Sequence, residues 1–252
     1  MMRLIVDQPR SGASNMAIDQ ALLHSASKLG VATLRIYQWQ PATLSLGYFQ
    51  KSGDRASHLS SINCPWVRRA SGGGAILHDR EMTYSIAVPS QDRWAAANRN
   101  LFDQVHASLI ACLKQLGVDD CVVVNDEIAD QHAEALAGSQ PFLGFERRSP
   151  GDVTIADYKV IGSAQRRLDN ALLQHGSVLV EKSPAAPELP GIKELSPGSS
   201  VSIDALIETW PAFLSDLMGW QFAECQVTDD EHIEAEKIMA ARFANPDWNR
   251  KR

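Results

Sequence analysis

Apolar residues recur along this chain with two distinct periods. Between 14 and 29, Ala17, Ile18, Ala21, Leu22 and Leu29 fall near one face of a helix, and Ser14 is placed to cap it. Residues 100–116 give the clearest amphipathic helix, with Leu101, Val105, Leu109, Cys112, Leu113 and Leu116 at three- and four-residue steps. A period of two governs residues 33–39, Thr43–Tyr48 beyond Pro41, and Thr83–Val88, where Tyr84 and Ile86 share a side. A further strand ends at Trp66-Val67-Arg68. Val122-Val123-Val124 reads as a short buried strand and residues 130–141 as a polar surface loop. Val153–Ile161 reads as a hairpin turning at Asp157-Tyr158, and Leu172–Val180 as another strand. Residues 183–200 hold four of the twelve prolines and read as a long connection. Helices near 202–219 and 229–243 follow.

Strands and helices in runs, without strict alternation, predict an α+β fold with a mostly antiparallel central sheet flanked by helices. One domain over 1–252 is expected, with a helical C-terminal part at 183–252 and no separate accessory domain. A chain of 252 residues buries enough surface to fold without staples. Its net charge of −6 argues against a nucleic-acid partner. No apolar run is long enough for a membrane span, and no secretory signal opens the chain. The four cysteines (Cys64, Cys112, Cys121, Cys225) are widely spaced, which disfavours a zinc site or a disulfide framework. A reduced, cytoplasmic protein is expected.

Three segments carry candidate chemistry. In Arg68-Arg69-Ala70-Ser71-Gly72-Gly73-Gly74-Ala75-Ile76-Leu77-His78-Asp79, a glycine run lies between strands. Bare successive N–H groups can cradle an anion, and the arginine pair supplies forked donors. A flexible hairpin loop is the plainer reading of the glycines alone. No Gly-Lys-Ser/Thr follows, so this is not a nucleotide P-loop. In Lys159-Val160-Ile161-Gly162-Ser163-Ala164, small residues leave room for a ligand beside a lysine that can act on a phosphate or carbonyl oxygen. In Gln174-His175-Gly176-Ser177, His175 reads as a ligand contact or as a satisfied core histidine.

Taken in order, these segments resemble the lipoate–protein ligase and octanoyltransferase family, related in fold to biotin–protein ligases. Asn15-Met16-Ala17 with Asp19 resembles that family's first helix, and Trp39 with Pro41-Ala42-Thr43-Leu44-Ser45-Leu46-Gly47-Tyr48-Phe49-Gln50 its substrate-side hairpin. Glu81-Met82-Thr83-Tyr84-Ser85 and the ending Trp248-Asn249-Arg250-Lys251-Arg252 agree with it too. The resemblance implies that Arg69, Ser71, Gly72, Gly73, Gly74, Ala75 and His78 bind the carboxyl end of a lipoyl or octanoyl chain. It implies the same neighbourhood for Gly162, Ser163, Ala164, His175 and Gly176, with Lys159 facing the reacting carbonyl. The alkyl chain would lie in an apolar tunnel lined by 43–49, 71–78 and 175–179. The acceptor would be a lysine of a lipoyl domain of 2-oxoacid dehydrogenases, or of a glycine-cleavage carrier protein.

The family's branches differ in chemistry. Ligases activate free lipoate or octanoate with ATP, passing through an acyl-adenylate. Octanoyltransferases take octanoate from acyl carrier protein onto a cysteine thiolate. In the transferase branch that this sequence most resembles, the cysteine lies fifteen residues before the lysine. Here Gly144 stands there, fifteen before Lys159. The expectation is therefore an ATP-dependent lipoate–protein ligase. Asn125, Asp126 and Asp152 are candidates to hold Mg2+ or phosphate. The alternatives are an octanoyltransferase relative lacking the usual cysteine, which would need neither ATP nor metal, and an inactive acyl-binding protein.

Overall fold

The computed structural model describes residues 1–96 and 100–252. Its strands are β1 (Met2–Val6), β2 (Thr33–Tyr37), β3 (Thr43–Leu46), β4 (Trp66–Arg68), β5 (Ile76–His78), β6 (Glu81–Pro89), β7 (Val122–Val123), β8 (Val153–Ile155), β9 (Tyr158–Leu168), β10 (Ala171–Leu179) and β11 (Phe222–Glu224). Its helices are α1 (Gly12–Leu29), α2 (Arg93–Ala96), α3 (Asn100–Gln115), α4 (Asp126–Ala135), α5 (Ile192–Leu195), α6 (Ile203–Met218), α7 (Asp229–Ile238) and α8 (Pro246–Asn249).

An eight-stranded sheet runs β11-β1-β2-β6-β10-β9-β8-β7. It is antiparallel from β2 to β7 and parallel only across β11-β1-β2. A small sheet, β4-β3-β5, carries the glycine-rich loop between β4 and β5. The α+β class and the mostly antiparallel sheet agree with the sequence.

Strand β6 shows why this core is deep. Tyr84, Ile86 and Val88 enter the cluster built with α3 and α6, while Ala87 enters the cluster built with α1. Both faces of the strand are covered, so every residue from Glu81 to Val88 is buried. On the α1 face the sheet also buries an ion network. Arg35 is fully buried and pairs with Asp7 and Asp19, each at 2.8 Å, and its Nη atoms also donate to the Asn15 side-chain and main-chain oxygens.

Several local readings are corrected. Ser11 caps α1, its hydroxyl accepting from the Ser14 N–H, so the helix starts before Ser14. Residues 130–141 are not all loop, because α4 runs through Ala135. Asn125 starts it by accepting from the Ile128 N–H, and the acidic pair Asp126-Glu127 suits the positive end of the helix dipole. Only Ala129 of α4 is buried, so there was little apolar period to read. The valine strand is exposed at Val122 and Val123, and only Val124 is buried. The hairpin turns at Ala156-Asp157, both with positive φ, one residue earlier than expected. Lys159 is the second residue of β9, which is paired on both sides.

Candidate active site

The site forms where the glycine loop, segment 142–152 and strands β9 and β10 converge. Arg69 organises the loop. Its Nη1 donates to the Ser45 carbonyl and hydroxyl, and its Nη2 to the Gly72 and Gly74 carbonyls. All four Nη hydrogens are thereby used, and only Nε has no partner. This corrects the expectation that Arg69 grips the substrate carboxylate: it borders the cavity but is 3% exposed, and its Nη donors are spent on the loop. Burial pulls its pKa down to about 9. Arg68 is tied in turn by residues near the end of the chain: Asn249 accepts from its N–H and Nε, and Trp248 donates to its carbonyl.

The glycines have separate duties. Gly73 adopts φ +93°, a conformation other residues avoid. Gly74 abuts segment 142–152, and a Cβ there would lie 2.7 Å from Gly144 Cα. The two segments are stitched by Gly144 N–H to the Ala75 carbonyl at 2.6 Å and by Ala75 N–H to the Phe142 carbonyl at 3.0 Å. Gly162 lets Lys159 lie across it, since a Cβ there would meet Lys159 Cε at 2.3 Å.

Lys159 ion-pairs with Asp152 at 2.7 Å. Its further polar contact is a long one, 3.5 Å to the Gly144 carbonyl, and its ammonium lies 5.4 Å from the centre of the Phe145 ring. Burial outweighs the attraction of Asp152 and lowers the Lys159 pKa. His78 is spoken for: Nδ1 meets Glu81 at 2.5 Å, Nε2 meets Ser45 at 2.7 Å, and the ring stacks on Trp39 at 3.8 Å. His175 meets the Ser71 hydroxyl at 2.5 Å, and burial lowers its pKa to about 4.

These groups surround a cavity of about 500 Å³. Arg69, Gly72, Gly73, Gly74, His78, Gly144, Asp152, Lys159, Gly162, Ser163, Ala164, His175 and Gly176 line it. Ser71 and Ala75 stand behind the wall and do not. Asn125 and Asp126 are also absent from it. The Asn125 side chain is spent capping α4, and the Asp152 carboxylate accepts from the Ser149 N–H besides pairing with Lys159. The three expected metal or phosphate ligands are therefore not brought together. Among the described residues, no group of three or more His, Cys, Asp or Glu is placed to hold a metal ion. The sequence reading missed the apolar wall from Met16, Phe102 and Phe145 and the polar rim from Arg147 and Ser149. It also missed His106, which stands behind Ser163 on α3. The available signal was one histidine beside Val105 and Leu109 on an otherwise apolar stripe.

A family model described as the lipoyl protein ligase A/B catalytic domain matches residues 11–186, which include the whole cavity wall. The chain belongs to this lipoyl protein ligase A/B family. Curated relatives match at full length. Octanoyltransferase LipM of Kyrpidia tusciae is 31% identical, over 98% of this chain and 97% of its own. Octanoyltransferase LipM of Clostridioides difficile is 32% identical, over 99% and 98%. Among solved structures, a lipoate-protein ligase A bound with ATP superposes with TM-score 0.77 at 20% identity, covering 99% of this chain and 98% of that one. A bi-partite lipoate protein ligase from Thermoplasma acidophilum gives 0.75 at 20%, covering 99% and 96%. Those likenesses establish the ligase A/B fold.

The names of the curated relatives overturn the expected ATP-dependent ligase: the two relatives 31% and 32% identical to this chain are named octanoyltransferases. With the ligase goes the reason for expecting ATP and Mg2+ here. No helix among the described residues is long and apolar enough to cross a membrane.

Proposed function

We propose that this chain, acting as one catalytic domain, transfers an octanoyl group from an acyl carrier protein thioester to a lysine of a lipoyl acceptor domain. Full-length similarity to octanoyltransferases carries the reading. The cavity supports it, with Met16, Trp39, Ile76, Phe102 and Phe145 suited to an alkyl chain and Lys159 beside them. A thioester is already activated, so transfer to an amine needs no ATP.

Lys159 would donate to the carbonyl oxygen as negative charge develops there, a task for a fixed ammonium shielded from water. Asp152 keeps that ammonium charged against burial and aims it. The glycine loop, braced by Arg69, would offer N–H groups to the same end of the acyl chain. The acceptor amine must be neutral to attack, whereas Lys159 must be charged. The rate should therefore rise with pH and then fall as Lys159 loses its proton, below its ordinary 10.5.

The test is the intact mass of an unmodified lipoyl domain incubated with the protein and octanoyl-acyl carrier protein, without ATP. A gain of one octanoyl group is expected. Modification that appears only with free octanoate and ATP overturns the reading.

A further inference from the structure

Octanoyl transfer through an acyl-enzyme needs a nucleophile, and no cysteine of this chain stands in the cavity. Gly144 has no side chain. Cys112 is buried on α3, Cys225 is a partner of Arg3, and neither Cys64 nor Cys121 lines the site. Burial also raises the thiol pKa of Cys64, and those of Cys112 and Cys121 to about 11. Lys159 is no substitute, because its acyl product would be a stable amide.

Ser163 offers what the cysteines do not. His106 Nδ1 lies 2.7 Å from the Gly151 carbonyl, which can only accept, so Nδ1 carries the proton and Nε2 is bare. Nε2 lies 2.6 Å from Ser163 Oγ, so the serine hydroxyl donates to it. On the other side Gln174 donates to Tyr84 Oη at 3.3 Å, leaving the Tyr84 proton for Ser163 Oγ at 2.5 Å. The chain of donors thus runs in one direction and ends on His106. One lone pair of Ser163 Oγ remains, on a half-buried side chain that lines the cavity. Burial lowers the His106 pKa to about 4, so the imidazole is neutral at ordinary pH. Gly176 makes the arrangement possible: a Cβ there would lie 2.2 Å from Ser163 Oγ and 2.7 Å from Tyr84 Oη.

Three other serine–histidine contacts among the described residues, Ser45–His78, Ser61–His58 and Ser71–His175, are less exposed. Ser45 borders the cavity but is fully buried, and its hydroxyl already accepts from Arg69. Ser61 and Ser71 are buried and do not line the cavity.

We propose that Ser163 is the acyl-carrying nucleophile, with His106 as its base. The proposal rests on the octanoyl-transfer reading. Ser163 Oγ attacks the thioester carbonyl carbon while its proton passes to His106 Nε2. The C–S bond breaks, the departing thiolate takes that proton, and an octanoyl ester remains on Ser163. The neutral acceptor amine then attacks the ester carbon and yields a proton to Nε2. The C–Oγ bond breaks and Oγ takes the proton back. One thioester becomes one amide, with no oxidant, reductant or nucleotide consumed.

The experiment incubates the full chain with octanoyl-acyl carrier protein, first without and then with an unmodified lipoyl domain. Without acceptor, the enzyme should gain one octanoyl group. Peptide mapping should place it on Ser163, as an ester stable to neutral hydroxylamine and cleaved by alkaline hydroxylamine. Ser163→Ala should lose the adduct and at least about 10²-fold in transfer rate. Ser163→Cys should restore an adduct that neutral hydroxylamine now cleaves, a readout a merely structural serine would not give. An adduct on a cysteine or on Lys159 overturns the proposal. So does wild-type transfer with no adduct and with sequential kinetics, or undiminished transfer by Ser163→Ala; in each case the octanoyltransferase reading survives. If the lipoyl domain gains no octanoyl group from any enzyme, the reading itself fails and the proposal falls with it.

Discussion

Two buried cations in this molecule sit in opposite circumstances. Arg35, on β2, meets two carboxylates and two oxygens of Asn15, and despite full burial the charges of Asp19 and Asp7 hold its pKa above the ordinary value. Lys159, on β9, has one carboxylate and a long contact to a carbonyl, and burial wins, lowering its pKa. The first charge is saturated and serves to bind β2 to α1. The second keeps donor capacity in reserve beside a cavity. A buried charge left short of partners costs stability unless something else answers it. Here the developing charge of a reacting carbonyl is that missing partner.

The contrast can be broken by substitution. Arg35→Met leaves Asp19 without a counter-ion inside the protein, while Asp7 keeps Arg10, and should cost about 3–5 kcal/mol of stability. The check is a denaturant titration; loss of activity in an equally stable protein would refute the structural role. Lys159→Met should instead reduce octanoyl transfer by about 10²- to 10³-fold while the unfolding midpoint moves much less. A variant that unfolds as readily as Arg35→Met would erase the distinction. Sharpening comes from the loop that faces Lys159. Gly74→Ala drives a Cβ to 2.7 Å from Gly144 Cα, backbone against backbone, whereas in Gly144→Ala the nearest atom is the Gly74 oxygen at 3.2 Å. Gly74→Ala should therefore cost about 1–3 kcal/mol, and Gly144→Ala less, by thermal unfolding. The smallest effect is expected at Asn125→Ala, about 1 kcal/mol from a lost helix cap with transfer unchanged. A transfer defect there would revive a ligand role for Asn125.

Acid should probe a third pair. Burial pushes Glu231 up, but its contacts to Arg3 and the Thr228 N–H outweigh this and hold its pKa at about 2. A folded value below the ordinary 4.5 means that this stabilisation is complete above 4.5 and is lost as pH falls toward about 2. Arg3→Met should flatten that part of the stability curve.

The sequence made α3 legible through its apolar period and β10 through its run of buried residues. It failed where few residues are buried at all. Helix α4 has a single buried residue, so nothing distinguished it from a loop. For the site, the motifs supply much of the cavity wall, but Ser71, Ala75, Asn125 and Asp126 lie off it. An arginine beside glycines suggests an anion contact at Arg69; only the fold shows its donors already committed to the loop. His106 was invisible because its partners are far off in sequence, at Gly151 and Ser163.

One irregularity of β9 has a genetic consequence. Thr154 pairs with Lys159 and Val153 with Ile161, so Val160 is a supernumerary residue in the ladder. The aim of Lys159 is thus encoded partly in chain length and not in residue identity alone. Removing Val160 would restore even pairing, and the sheet could absorb the deletion. Lys159 would still oppose Thr154 and keep the face of Gly162, but the strand would lose the bend and added twist that the bulge gives it. A deletion of one codon would thus preserve the fold and shift the Lys159 ammonium away from Asp152, although no residue named in the site had been replaced.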